Sequence, residues 1–228
     1  MSGDTVVEIG PGPGRLTMLL ADAAGKVIAI ELDDELYGKL LLFSRIRSNL
    51  EVVHGDALAY PYETLGAFKV VANIPYYITT PIIFRLIEAK GHLRSMTLTI
   101  QKEVAERIVA GPGSKTYGVL SIAVQYHSIP RLEFIIPREA FRPVPEVDSA
   151  VIRIDMRESP RVRVPDEKAF FKLIRTAFAQ RRKTLANALK PLLTDSRERL
   201  LQAGIDPQRR AETVSIEEFA RLAEVLRQ

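Results

Sequence analysis

Short apolar runs alternate with amphipathic stretches over the first hundred residues. Thr5-Val6-Val7-Glu8-Ile9 reads as a buried strand, followed by a glycine turn and an apolar helix from about Arg15 to Ala24. Residues 26–31 (Lys-Val-Ile-Ala-Ile-Glu) form a second strand, and 33–42 suits a helix. A short third strand at 50–53 ends at His54-Gly55-Asp56. A fourth, at 68–72, runs into Asn73-Ile74-Pro75-Tyr76; helical spacing covers 81–89, and 95–100 is a fifth strand. Strands alternating with helices in this way imply parallel βαβ units.

The pattern then changes. A helix at 101–110 stops at Gly111-Pro112-Gly113, and the apolar run at 119–126 fits strand or helix equally. Residues 131–136 and 149–155 read as late strands, paired like a hairpin around the 137–147 loop. Ser159-Pro160 and Pro165 punctuate the chain, and no strand pattern follows them. Residues 166–190, 194–203 and 215–227 read as three helices, the last opened by a Thr213/Ser215 cap region with Glu217 and Glu218 in its first turn. The expected organisation is a Rossmann-like α/β domain at 1–160 and a helical domain at 161–228.

Composition narrows the classes. The 228 residues are 46% hydrophobic and 26% charged, an ordinary globular balance. No apolar run approaches the roughly 18 residues of a membrane span. Met1-Ser2-Gly3-Asp4 has no secretion-signal pattern, so a cytoplasmic protein is expected. The absence of cysteine excludes disulfides, thiolate metal sites and cysteine nucleophiles, and His54, His92 and His127 are too dispersed for a metal site. Charge is uneven: residues 1–160 carry 17 Lys/Arg against 19 Asp/Glu, whereas 161–228 carry 15 against 9. A basic tail on a near-neutral body suggests a polyanion partner, RNA or DNA first.

Six segments could carry chemistry. Gly10-Pro11-Gly12-Pro13-Gly14 after a buried strand lets a ligand approach the main chain, or is simply a tight strand-to-helix turn. Its spacing is neither the dinucleotide fingerprint nor a P-loop. Glu31, ending strand two, sits where an acidic side chain accepts ribose hydroxyls in doubly wound sheets. Asp56, ending strand three, could accept an adenine amine or make a local Asx turn. Together these positions suit an adenosine with a charged amino-acid arm, S-adenosylmethionine.

The most specific segment is Asn73-Ile74-Pro75-Tyr76. Pro75 stiffens the backbone and holds Ile74 extended. The Asn73 side-chain oxygen and the Ile74 carbonyl can then face one amino group, with Tyr76 offering a flat face to a base. An adenine amine is nearly planar, its lone pair drawn into the ring. Two acceptors aimed at its N–H groups favour a tetrahedral nitrogen and free that pair. Phe141, in Phe141-Arg142-Pro143-Val144-Pro145, could be the opposite wall of a base sandwich. Arg181, Arg182 and Lys183, read as lying near a helix centre, are candidate phosphate contacts.

The chain resembles the small-subunit ribosomal RNA adenine N6-dimethyltransferases. The resemblance is carried by Val7-Glu8-Ile9-Gly10-Pro11-Gly12, Ile30-Glu31-Leu32-Asp33, Gly55-Asp56-Ala57, Asn73-Ile74-Pro75-Tyr76, Gln101 to Arg107, Gly113 to Gly118, the Phe141–Ser149 loop and Gln180 to Leu185. It implies a class I methyltransferase sheet of seven strands, one antiparallel, with a small helical domain, and S-adenosylmethionine as donor. It implies that Gly10 meets the donor's methionine portion, Glu31 its ribose, Leu32 and Ala57 the adenine ring and Asp56 the adenine amine, with Asn73 between donor and target. The implied substrate is two adjacent adenosines near the 3′ end of 16S-type rRNA in an assembling 30S-type particle. A monomer is expected separately from that resemblance. Family members usually begin with a helical segment ahead of strand one. This chain opens almost at that strand, so weaker closure over the donor is expected. Two other readings remain: a large-subunit rRNA methyltransferase of the macrolide-resistance type, and an RNA-binding assembly factor that does not methylate.

Overall fold

A computed structural model describes residues 3–227; Met1 and Ser2, part of the chain-start reading, lie outside them. The chain forms two compact units, Met1–Ala105 with Ile129–Met156, and Glu106–Ser128 with Arg157–Gln228. A linear division at residue 160 differs from this, because residues 106–128 join the helical unit.

The first unit is built on a sheet of β1 (Thr5–Ile9), β2 (Lys26–Glu31), β3 (Leu50–His54), β4 (Phe68–Asn73), β5 (Leu93–Gln101), β6 (Ser128–Ile136) and β7 (Ser149–Met156), in the order β3-β2-β1-β4-β5-β7-β6. The pairs β3–β2, β2–β1, β1–β4 and β4–β5 are parallel, and β5–β7 is antiparallel. Val7, Val27, Ala29, Val70, Met96, Leu98 and Ile152 are fully buried, as expected of strands covered on both faces. The crossovers are α1 (Arg15–Ala23), α2 (Asp34–Ser44) and α3 (Thr79–Glu88). Asp33 caps α2 by accepting from the Leu36 N–H at 2.9 Å. Asn49 Nδ2 donates to the orphan carbonyls of Ala21 and Ala24 where α1 ends, at 2.7 and 3.0 Å. Gly14 enters α1 at φ +81°, and a Cβ there would lie 2.6 Å from the Phe43 ring. Only glycine meets both conditions.

Further along are α4 (Lys102–Val109) and α5 (Val119–His127). The undecided run at 119–126 is thus a helix. It is buried nearly all round, which is why its apolar residues show no one-faced period. The helical unit adds α6 (Glu167–Ala179), α7 (Leu185–Leu189), α8 (Ser196–Gln202) and α9 (Ile216–Val225) around Tyr117, Ile122, Phe170, Ile174, Leu200 and Phe219. Asp166 caps α6, and Ser215 and Glu218 form a reciprocal capping box on α9.

The single helix expected over 166–190 is broken at Gln180–Thr184, so the three cations sit in a turn. Phe170, Leu173, Ile174, Ala177 and Phe178 make the buried stripe of α6. A continuous helix would carry Arg181, three residues beyond Phe178, onto that stripe. The break avoids burying its charge, and Thr184 starts a new helix whose Leu185, Ala188 and Leu189 are buried again.

Candidate active site

The parallel order places the C-terminal ends of β1 to β4 along one edge, where open α/β sheets bind ligands. Backbone bonds tie these ends together: Gly10 N–H donates to Ile30 O at 3.0 Å and Gly55 N–H to Glu31 O at 2.9 Å. Gly10 and Gly12 have φ of +63° and +57°. A Cβ on Gly12 would meet nothing within 4 Å, so the main chain is open to a ligand there. A Cβ on Gly10 would lie 3.6 Å from Pro75 Cδ, so the glycine turn abuts the Asn73–Tyr76 segment.

That segment is held from several sides. Asn73 ends β4 opposite Thr99 and is exposed. Ile74 N–H donates to Thr99 O at 3.1 Å, and the Ile74 side chain is buried. Pro75 is extended, and Tyr76–Ile78 makes one 3-10 turn into α3. Tyr76 Oη lies 2.7 Å from Ser149 Oγ, which fixes the ring. The loop carrying Phe141 is closed by its own bonds: Arg142 donates to Glu139 O and Phe141 O at 2.7 and 2.8 Å. Asn73, Ile74, Pro75, Tyr76 and Phe141, with Pro143 and Pro145, line one cavity of about 280 Å³. Its lining combines two aromatic rings, Tyr76 and Phe141, with the primary amide of Asn73.

A sequence profile described as ribosomal RNA adenine dimethylase matches residues 2–228. The chain belongs to that family. It is 47% identical to "Ribosomal RNA small subunit methyltransferase A" of Moorella thermoacetica, across 98% of this chain and 83% of that protein. The namesake from Geobacillus thermodenitrificans is 45% identical, across 99% and 83%. Among solved structures, a dimethyladenosine transferase from Plasmodium falciparum superposes with a TM-score of 0.84 at 28% identity, covering 97% of this chain and 89% of that one. The 23S rRNA methyltransferase ErmE superposes at 0.78 and 28% identity, covering 100% and 92%. The fold is the class I methyltransferase fold, and the chain is an S-adenosylmethionine-dependent rRNA methyltransferase.

The dimethylase residues at the sheet edge fit such a donor. Glu31 is only 7% exposed, and its carboxylate is aimed by three backbone donors. Gly12 N–H reaches Oε2 at 3.0 Å, and Leu32 and Asp33 N–H reach Oε1 at 2.9 and 3.0 Å. With about four acceptor sites per carboxylate, Oε2 keeps one for a hydroxyl. Leu32 is 63% exposed, an apolar surface beside that carboxylate. Asp56 Oδ1 accepts from Leu58 N–H at 2.8 Å, the Asx turn weighed above, while Oδ2 makes no recorded bond. Ala57 is buried, its carbonyl held by Tyr62 Oη at 2.9 Å. No group of three or more metal-ligating side chains occurs among the described residues.

Three features escaped sequence reasoning. Glu8 is 1% exposed, and its Oε2 has no hydrogen-bond partner. Burial pushes its carboxyl up to about 7, with the Thr17 hydroxyl opposing and the Glu31 charge adding to the rise. Tyr77 is 81% exposed beside the fixed Tyr76; the doubled tyrosine was the available signal. Arg181, grouped above with Arg182 and Lys183, is engaged within its own unit. Its Nη2 donates to Lys115 O at 2.6 Å and Tyr117 O at 3.3 Å and pairs with Glu212 at 3.3 Å. Arg182 and Lys183 are exposed.

Proposed function

We propose that the chain dimethylates N6 of two adjacent adenosines near the 3′ end of 16S-type rRNA in an assembling small-subunit particle, as a cytoplasmic monomer. The observation that carries this reading is the single cavity shared by Asn73, Ile74, Pro75, Tyr76 and Phe141, with Pro75 against the glycine turn. The 47% identity to a small-subunit methyltransferase supports the choice of subunit.

The target base leaves its stack and lies between Tyr76 and Phe141. The Asn73 oxygen and the Ile74 carbonyl accept its two N–H groups, drawing the nitrogen toward tetrahedral geometry. The donor, when bound by Gly10, Gly12, Glu31, Leu32, Asp56 and Ala57, supplies a methyl made electrophilic by a sulfonium. The amine lone pair forms the new N–C bond as the methyl leaves sulfur, and the nitrogen then gives a proton to water. Positioning and fixed dipoles do the catalysis, without a strong base. After one transfer a single N–H remains, so one of the two acceptors holds the monomethylated amine for the second. After two, neither can, which favours release of the dimethylated base.

Isotope-labelled S-adenosylmethionine with pre-30S particles or protein-free large-subunit rRNA tests this reading. Label is expected as dimethyladenosine in the small-subunit RNA. The fold shared with ErmE is the reason for the second arm, and label there alone would transfer the assignment to the large subunit. RNA binding with no donor binding by calorimetry would instead support the assembly-factor reading.

A further inference from the structure

Two carboxylates share one face of the sheet at the donor edge, and only one of them is hydrogen-bonded into place. Glu8 sits opposite Ala29 across β1 and β2, and Glu31 follows two residues beyond Ala29, on the same face. Glu31 accepts three backbone N–H groups. Glu8 is more deeply buried, and its Oε2 accepts nothing among the described residues. Gly12 joins the open glycine turn to Glu31 through its N–H, and the Glu31 charge in turn reaches Glu8.

Two such groups resist carrying charge together. The three backbone donors fix the charge on Glu31, and Glu8 keeps a proton, its carboxyl pushed up to about 7 chiefly by burial. Among the described residues, no cation answers Glu8 from the elements packed around it. α1 brings the buried Thr17 hydroxyl, which favours the charged form, while its Arg15 is exposed. β4 brings Val71 and, further back on the same face, Lys69, which is paired with Asp4 at 2.6 Å. A carboxyl held neutral in this way ionises when a positive charge is placed near it. The donor and its product differ in such a charge: the sulfur is a sulfonium before transfer and neutral afterwards.

We propose that Glu8 lets the site read that charge: it gives up its proton when the sulfonium donor is bound and takes it back when S-adenosylhomocysteine is left. Only the carboxyl O–H bond breaks, and water carries the proton away and returns it. Ionised Glu8 strengthens the hold on the donor and not on the product, so the spent molecule leaves more readily. Its role is discrimination between the two, not methyl transfer itself. The inference rests on the donor seat at Gly10, Glu31 and Asp56.

The test is calorimetry of the full chain with S-adenosylmethionine and with S-adenosylhomocysteine, at pH values from about 5.5 to about 7.0. This range lies below the roughly 7.7–8.0 at which an α-amino group loses its charge. As pH rises, less of the binding free energy is spent on displacing the Glu8 proton, so donor affinity rises. A tenfold loss of proton affinity at Glu8 on donor binding makes the donor-to-product affinity ratio rise about fourfold across the range. In Glu8→Gln, which keeps the shape and removes the titration, the ratio should stay flat. A flat ratio in the parent overturns the proposal, and so does a rise that persists in Glu8→Gln. If that variant does not fold, the parent alone decides. Near pH 6.5, in two buffers of different ionisation enthalpy, donor binding should release about half a proton more than product binding. Equal proton release counts against the proposal as fully as a flat ratio. Donor binding with a flat ratio removes only this inference, whereas no donor binding at any of these pH values removes the donor seat and the inference with it.

Discussion

Glu8 makes stability depend on pH in a direction opposite to most carboxylates. Its folded carboxyl holds its proton up to about 7, against an ordinary value of 4.5, chiefly because burial penalises the charge. Between those values the folded state binds more protons than the unfolded one, so stability falls as pH rises. The contribution is fully present below about 4.5 and gone above about 7. Each pH unit in that window is worth about 1.4 kcal/mol, and the whole window about 3 kcal/mol. The carboxyls of Asp4, Glu63, Asp195 and Glu218 are lowered by cationic partners and titrate below the window, so they do not mask the effect. Glu8→Gln keeps the shape and removes the titration. Urea midpoints followed by far-UV circular dichroism from pH 5 to 8 should show the parent losing about 3 kcal/mol relative to the variant. Two parallel profiles would refute the account of a protonated, buried Glu8.

Other predictions read the site and its scaffold. Asn73→Ala should lower turnover about 10²-fold or more, while calorimetry shows donor affinity within about threefold, because the lost acceptor acts on the reacting amine. Tyr77→Ala should raise the RNA KM by about tenfold through a lost stacking surface, with the thermal midpoint unmoved because the ring is exposed. An unchanged KM would leave that ring without a role. Gly14→Ala combines a positive φ with a Cβ driven against Phe43, and should cost about 2–5 kcal/mol in denaturant unfolding.

The parallel strands were legible because each is a short, mostly apolar run closed by turn residues, and the order of their ends then brought Gly10, Glu31 and Asn73 to one edge. Asn73-Ile74-Pro75-Tyr76 was legible because proline and a primary amide narrow what a strand end can do. What escaped depends on distant partners. Arg181 finds Lys115 and Tyr117 across 66 and 64 residues, and no local pattern separates it from Arg182. The burial of Glu8 comes from layers on both faces of the sheet, not from its neighbours in sequence. The break after α6 arises from where a continued helix would point Arg181, and the placement of 106–128 in the helical unit from packing against residues beyond 157.

The sheet also separates chemistry from connectivity. Gly10, Glu31, Asp56 and Asn73 lie at or just beyond the C-terminal ends of the parallel strands, and Phe141 lies on the loop that leads into antiparallel β7, while the exposed Gly66-Ala67 connection sits where β4 begins. A guest sequence opened at Gly66, where an added side chain would meet nothing within 4 Å, is therefore expected to leave the methyl-transfer edge intact.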